Sequence, residues 1–345
     1  MKAHYLKYNL DFKMPAGTSR GVLKKKETFF IRIDDGERTG IGECSVFRGL
    51  SYDDKPDYEQ KLQWLCENIN LGEEKLLDVF KKYPSIQFGI EMAFLDLRAN
   101  RPMELFPSEF TAGHDSININ GLIWMGDSKF MLQQIEKKLE DGFNCIKMKI
   151  GAIDFEHELT LIKKIRKQFT AKEIELRVDA NGAFSPEDAL EKLKNLSDYD
   201  IHSIEQPIKQ GQVEEMAKLC VSSPLDIALD EELIGVIDII EKERLLKTIK
   251  PQYIILKPSL AGGIKGSSEW IELAEKYGIS WWITSALESN IGLNAIAQWT
   301  YTLNNTLPQG LGTGSLFTNN FDSPLVVENG KLGYNSDTDW KLPEF

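Results

Sequence analysis

Asp179, Glu205 and Asp230 each close a short apolar run, IELRVD, IHSIE and DIALD, and Lys257 closes a fourth, YIILK. In NCIKMKIG, Lys147 and Lys149 alternate with Ile146, Met148 and Ile150. Three carboxylates brought together repel one another and raise each other's pKa unless a cation holds them. An all-oxygen donor set without histidine suits Mg²⁺, with Mn²⁺ as the alternative, better than zinc. Lysines taken out of water lose part of their preference for the charged form, which moves them toward the range of a useful base. A divalent ion beside such a lysine fits one reaction type, removal of the proton next to a carboxylate, because the ion offsets the dianionic enediolate that develops.

Taken singly, each residue has a plainer explanation. A KxK pair is often an exposed edge strand, since Lys is seldom buried without a partner, and an Asp at a strand end is often a cap or turn residue. The recurrence argues otherwise. Side chains alternate along a strand, so Cys145, Lys147 and Lys149 share one face. Glu175, Arg177 and Asp179 do the same opposite Ile174, Leu176 and Val178. Polar residues therefore occupy one face of successive strands while apolar residues occupy the other.

The elements that must carry these residues follow a rhythm. From about residue 114 the sequence predicts strands at 116–120, 145–150, 173–179, 201–205, 226–230, 253–257, 280–285 and, more weakly, 309–313, with amphipathic helices between them. The closing polar residues stand at 179, 205, 230, 257 and 285, so each interval holds one βα unit. Eight such units match an α/β fold of the (β/α)8-barrel type, whose catalytic groups gather at the C-terminal strand ends. A doubly wound open sheet would carry a glycine-rich dinucleotide fingerprint after its first strand, and none follows 116–120.

The division expected is a capping α+β domain at 1–113, a barrel at 114–318 and a tail at 319–345 that returns to the capping domain. In the first part, strands are predicted around 2–9 and 28–34, and helices at 58–68 and 85–98. Two Gly, Pro and Ser-rich stretches, 12–21 and 42–54, are read as surface loops forming a substrate lid.

Bulk properties exclude several classes. The 345 residues can bury a large core and a smaller one. The formal charge of -12 argues against a nucleic-acid footprint, and the run Lys24, Lys25, Lys26 is read as solvated. No stretch is apolar over the roughly 18 residues a membrane span needs. The start, MKAHYLKYNL, lacks a secretory h-region, so a cytoplasmic location is expected. Cys44, Cys66, Cys145 and Cys220 have no metal spacing and are read as reduced thiols. The histidines His4, His114, His157 and His202 are scattered; His202 has outward parity and is read as structural. The partner expected is a small-molecule carboxylate.

KMK at 147–149, VDAN at 178–181, EQP at 205–207, DE at 230–231 and LKP at 256–258 together resemble the enolase superfamily, specifically its muconate-lactonizing subgroup. The resemblance covers essentially the whole chain. A lysine base beside divalent metal is the general arrangement of that superfamily. LKPSLAGG at 256–263 and SALESNIGL at 285–293 look most like the o-succinylbenzoate synthase family of menaquinone biosynthesis. The resemblance implies a lyase that dehydrates 2-succinyl-6-hydroxy-2,4-cyclohexadiene-1-carboxylate to o-succinylbenzoate. It implies Lys149 as the base, Lys257 as electrostatic stabiliser on the opposite face, and Lys147 at the substrate carboxylate, where its charge would depress the pKa of Lys149. Asp179, Glu205 and Asp230 would hold the metal, supported by Asn181 and Glu231.

Ser285 is a candidate for the succinyl carboxylate, against a simple turn role. Arg177 either positions substrate or pairs with Glu175. AGGIKG at 261–266 and GLGTG at 310–314 complete no P-loop and are read as tight turns. Arg20 and Arg48 in the lid stretches receive no role. Two other functions compete: an N-acylamino acid racemase or dipeptide epimerase using Lys149 and Lys257 as opposed acid and base, and a non-catalytic barrel binding metal or a small acid. GLGTG at the eighth strand, where dipeptide epimerases carry DxD, favours the lyase.

Overall fold

The computed structural model describes residues 1–18, 21–124, 126, 128–151 and 154–345. Alternating apolar residues near the start build an antiparallel sheet of β1 (Lys2–Thr18), β2 (Gly21–Asp34) and β3 (Thr39–Cys44). Helices α1 (Tyr58–Glu67), α2 (Glu73–Val79) and α3 (Pro84–Arg98) cover one of its faces. The predicted loop at 12–21 is corrected here. The β1–β2 ladder, with an irregularity between Asp11 and Ala16, continues to the pair Thr18–Gly21, so backbone pairing outweighs the turn-rich composition. Arg20 lies outside the described residues.

The α3–β3 contact is unusually close because it is built on glycines. A Cβ on Gly42 would stand 2.0 Å from the Gly89 carbonyl oxygen, and one on Gly40 would stand 2.0 Å from that of Ala93. No side chain fits either position, and the helix lies directly on the strand backbone.

The second part opens with β4 (Ile117–Asn118) and β5 (Gly121–Ile123), followed by α4 (Ser128–Glu140). Then strands and helices alternate: β6 (Cys145–Lys149), α5 (Phe155–Gln168), β7 (Glu175–Asp179), α6 (Pro186–Ser197), β8 (Ser203–Glu205), α7 (Val213–Ser222), β9 (Ile227–Leu229) and α8 (Ile239–Ile249). The series closes with β10 (Tyr253–Leu256), α9 (Pro258–Ala261), α10 (Gly263–Lys276), β11 (Ser280–Ile283) and α11 (Asn290–Thr302). Side-chain caps start several helices, with Asp154 before α5, Ser185 before α6, Asp238 before α8 and Ser289 before α11.

Strands β5 to β11 form one parallel sheet in sequence order. Among the described residues the eighth stave is present as bridges from Gln309 to Ile119 and from Gly310 to Thr284, which join the two ends of the sheet. The first barrel strand is therefore β5, later than the predicted 116–120. Ile117–Asn118 instead pairs with the C-terminal hairpin β12 (Leu325–Glu328) and β13 (Lys331–Tyr334). The tail also reaches the capping domain, where Phe321, Trp340 and Leu342 pack with Phe30 and Ile41.

The expected parity holds for the site strands apart from His202. Ile146, Met148, Leu176, Val178, Ile204, Ile227, Leu229, Ile254, Leu256 and Ile283 belong to one buried apolar cluster with the helices. The opposite face carries the lysines and carboxylates. No described helix is long and apolar enough to cross a membrane. All four cysteines are free thiols.

Candidate active site

Each strand of the site ends by handing its last polar side chain to the barrel mouth. Lys149 on β6 donates from Nζ to Asp179 Oδ2 at 2.8 Å and to Asn181 Oδ1 at 2.6 Å. Asn181 Nδ2 donates in turn to Glu231 Oε1 at 3.1 Å. Lys147 lies between Asp179, at 2.9 Å, and Glu205, which it also contacts. Lys257 pairs with Asp230 at 2.5 Å. Asp179, Glu205 and Asp230 are all buried. In the sheet order, β6 and β10 are four strands apart, so in an eight-stave barrel Lys149 and Lys257 face each other across the mouth.

The backbone turns sharply behind these residues. Asn181, Gln206 and Leu287 adopt left-handed φ values of 45°, 39° and 65°, each just beyond a strand. Asn tolerates that conformation, whereas Gln and Leu do so rarely and must be held. Gln206 is held by a buried network. Its amide oxygen accepts the N–H groups of Asp230 and Glu232, and its Nε2 donates to Ile208 O and Glu232 Oε2. Gln206 therefore ties the strand carrying Glu205 to the loop carrying Asp230. Only its place in EQP marked it in the sequence.

The electrostatics correct one expectation. Burial by itself would push the Lys147 ammonium down, but the Asp179 and Glu205 carboxylates outweigh burial and hold it above its ordinary value. Lys257 is held up in the same way, burial being outweighed by Asp230 and Glu205. Burial would likewise raise Asp179, yet Lys147 and Lys149 bring it far below the usual carboxylate range. Glu205 is pushed up to about 8, by burial first and then by Asp179. Lys147 and Lys257 are thus paired cations rather than desolvated bases in this arrangement.

Among the described residues, no three His, Cys, Asp or Glu side chains converge closely enough to hold an ion as they stand. Lysine ammonium groups lie between the carboxylates. The donor chemistry nevertheless fits a hard divalent cation. All three side chains supply oxygen, and the buried Glu205 Oε1 has no hydrogen-bond partner among the described residues.

A cavity of about 520 Å³ opens onto this cluster. Lys147, Lys149, Lys257, Asn181, Glu231 and Ser285 line it, together with Phe12, Phe47, Leu50, Trp124 and Phe130. The stretches 12–14 and 47–50 of the capping domain thus contribute walls. Arg48 is directed elsewhere, pairing with Glu27 and with Asp54 at 2.8 Å.

Ser285 is at the cavity, but its hydroxyl is already committed. It donates to Glu288 Oε2 at 2.6 Å and accepts from Thr313 Oγ1 and Leu287 N. Glu288, in SALES, also accepts from Ser259 Oγ at 2.5 Å and was not recognised from sequence. Arg177 does not line the cavity. Its Nε donates to Glu175 at 2.7 Å, Nη1 donates to Pro308 O, and the guanidinium stacks 4.2 Å from the Trp282 ring centroid. The ion-pair alternative is realised, because the side chain runs down the barrel rather than up. His202 corrects its expected outward parity, since it packs on Tyr253 and Trp282 on the same floor, away from the helix side, though its role is structural as expected.

Two capping-domain carboxylates reach into the barrel. Glu43 on β3 accepts from Ser289 N, Ser289 Oγ and Gly292 N at the start of α11. Glu91 on α3 accepts from Ile264 N and Lys265 N at the start of α10. The glycine-rich AGGIKG segment therefore presents its helix N-terminus to an internal carboxylate, which accounts for its likeness to an anion cradle. Lys26 corrects another reading. It is buried and donates to Ser45 Oγ at 2.5 Å, with the Glu43 and Glu288 charges nearby, so the basic run is not wholly solvated.

Comparison with known proteins bears on what this geometry does. A family described as "Enolase C-terminal domain-like" matches residues 131–336, and one described as "MenC, N-terminal domain" matches residues 1–97. The o-succinylbenzoate synthase of Desulfotalea psychrophila is 48% identical, covering 96% of this chain and 99% of that one. The crystal structure of MenC from Desulfotalea psychrophila LSv54 superposes with a TM-score of 0.87 at 44% identity, covering 96% and 99% of the two chains. A dipeptide epimerase from Enterococcus faecalis V583, solved with Mg and the dipeptide L-Leu-L-Tyr, has a TM-score of 0.85 at 21% identity, with 96% of each chain covered. That second likeness concerns the fold.

Proposed function

The chain belongs to the o-succinylbenzoate synthase family of the enolase superfamily, and from that premise we propose how its site works. The enzyme is a carbon–oxygen lyase of menaquinone biosynthesis, dehydrating 2-succinyl-6-hydroxy-2,4-cyclohexadiene-1-carboxylate to o-succinylbenzoate. The observation that carries the assignment of sides is the opposition of Lys149 and Lys257 across one cavity, each tied to the carboxylate at the end of a neighbouring strand.

Lys149 takes the proton from the ring carbon that bears the carboxylate. The electron pair left behind forms the new ring double bond as the carbon–oxygen bond to the neighbouring hydroxyl breaks. Lys149 then returns the proton to that departing oxygen, so water leaves and the ring becomes aromatic. Lys257, from the opposite side, stabilises the negative charge of the enediolate. Lys147 contacts the substrate carboxylate. Asn181, bonded to Lys149 Nζ, orients the base, and Glu231 holds the Asn181 amide.

Members of this superfamily depend on a metal. Asp179, Glu205 and Asp230 are the residues that would hold it, with Mg²⁺ the ion their chemistry favours. When bound, it supplies positive charge to offset the enediolate. The reading calls for a small carboxylate as partner, without nucleic acid or a membrane, and the cytoplasm is the compartment it suggests.

The test supplies the hydroxycyclohexadiene carboxylate with Mg²⁺ and follows formation of the aromatic acid, with N-succinylamino acids and dipeptides in parallel. Metal-dependent turnover of the first is expected. Turnover of the amino acid derivatives alone would overturn the lyase in favour of racemisation or epimerisation on the same lysine pair.

A further inference from the structure

The charged residues of the site stand on one side of the barrel mouth, and the body of the substrate must lie on the other. Asp179 and Glu205 end β7 and β8, and Asp230 follows β9. In an eight-stave barrel the staves opposite these are β11, the segment that bridges at Gln309 and Gly310, and β5. There the eighth stave presents Gly310 and Gly312 to the cavity, two positions without side chains. A substrate whose ring carboxylate sits at Lys147 therefore extends toward β11 and β5.

That wall holds a buried polar group with no use so far. Asn120, Leu122 and Trp124 all line the cavity, as alternation along the first stave requires. Leu122 pairs in register with Lys147, so Asn120 lies one inward-facing position below that level, on the stave next to the lysine's. Its backbone N–H donates to Gln309 O at 2.9 Å, which fixes the residue against the eighth stave. Asn120 is only 6% exposed, and its side chain has no hydrogen-bond partner among the described residues. Its buried polar neighbours in the wall are engaged: Lys147 by Asp179 and Glu205, Ser285 by Glu288 and Thr313, and Glu231 by Asn181. A buried amide without a partner carries its desolvation cost until a ligand meets it.

A neutral acceptor suits this amide best. The ketone of the succinyl chain is attached to the ring carbon beside the one that bears the carboxylate, so it stays close to the group at Lys147. The terminal carboxylate is two methylenes further out, and an anion set against one neutral amide would keep most of its own desolvation cost. We propose that Asn120 Nδ2 donates to the succinyl ketone and so selects a ring carrying an acyl group beside the carboxylate. This rests on the lyase reading above, and the experiment separates the two. Calorimetry with Mg²⁺ present compares o-succinylbenzoate with the analogue whose ketone is a methylene, in wild type and in Asn120→Leu. Neither measurement needs turnover, and the wild-type comparison needs no variant to fold.

Wild type is expected to bind the ketone about 5- to 100-fold more tightly, because the methylene leaves the buried amide without a partner. In Asn120→Leu the two ligands should bind within about twofold of each other, the ketone having weakened and the methylene analogue having held or tightened. The KM for the diene substrate should rise in that variant by about the factor lost in ketone binding, with kcat within about threefold of wild type. Equal binding of the two ligands by wild type overturns the proposal, since water rather than the ketone would then meet the amide. So does a preference that persists in Asn120→Leu, or equal weakening of both ligands there. If wild type shows the preference and Asn120→Leu loses it, yet the diene is not turned over, the lyase reading fails while the role of Asn120 stands.

Discussion

Lys149 and Lys147 occupy neighbouring positions on one strand face but have different partners. Both line the cavity, but Lys147 is wedged between two carboxylates, whereas Lys149 reaches one, Asp179, and the Asn181 amide. Lys149 is thus the lysine whose proton inventory substrate can use. Lys149→Ala should lower kcat by about 10²- to 10⁴-fold, the usual share of a general base. Metal titration followed calorimetrically should still show binding in that variant; full activity would mean the proton goes elsewhere. Gln206 acts through others, since its amide fixes the N–H groups of Asp230 and Glu232. Gln206→Leu should weaken Mg²⁺ binding in the same titration by about 10- to 100-fold, the range for residues that orient metal ligands.

At the scale of elements, the capping domain is docked by carboxylates inserted at the starts of barrel helices, where unpaired N–H groups and the helix dipole favour negative charge. Glu43 is the more heavily bonded of the two, accepting also from Thr28 Oγ1 at 2.8 Å. Glu43→Ala would strand those donors and the buried Lys26, and should cost about 3 kcal/mol or more in a urea unfolding experiment. Glu91 adds a pH dependence. Burial pushes it from 4.5 up to about 8, only partly offset by the N–H groups of Lys265 and Ile264. An acid with a raised folded pKa holds its proton more tightly when folded, so its contribution is complete below the unfolded value and is lost as pH rises toward 8. Unfolding midpoints of wild type should therefore fall relative to Glu91→Gln between about pH 4.5 and 8; parallel curves would show that the carboxyl is ionised throughout.

For the whole molecule, a net charge of -12 repels a dianionic substrate at long range, so attraction must come from lysines gathered at one cavity. The same lysines neutralise the three carboxylates in the arrangement described. A bound divalent ion would add to stability by linkage, about 2.7 kcal/mol at a hundredfold excess over its Kd. Thermal unfolding with Mg²⁺ and with EDTA should differ accordingly for wild type and hardly at all for Glu205→Gln. Equal shifts in both would place the ion elsewhere.

The barrel, the order of its strands and the six charged residues at its mouth were legible in the sequence because they are local properties. Side-chain alternation on a strand sets which residues face inward, and one βα unit per interval sets which strand ends they reach. Lys147, Lys149, Asp179, Glu205, Asp230 and Lys257 all lie where that reasoning put them. Other features depended on contacts between segments far apart in sequence. Arg177 shares the inward face yet turns to the floor, because Glu175, Pro308 and Trp282 receive it there. Lys26 is buried although its run looks solvated, because β3 brings Ser45 and Glu43 beside it. Alternation says which face a side chain leaves from; which partner satisfies its charge depends on what the rest of the chain packs against that face.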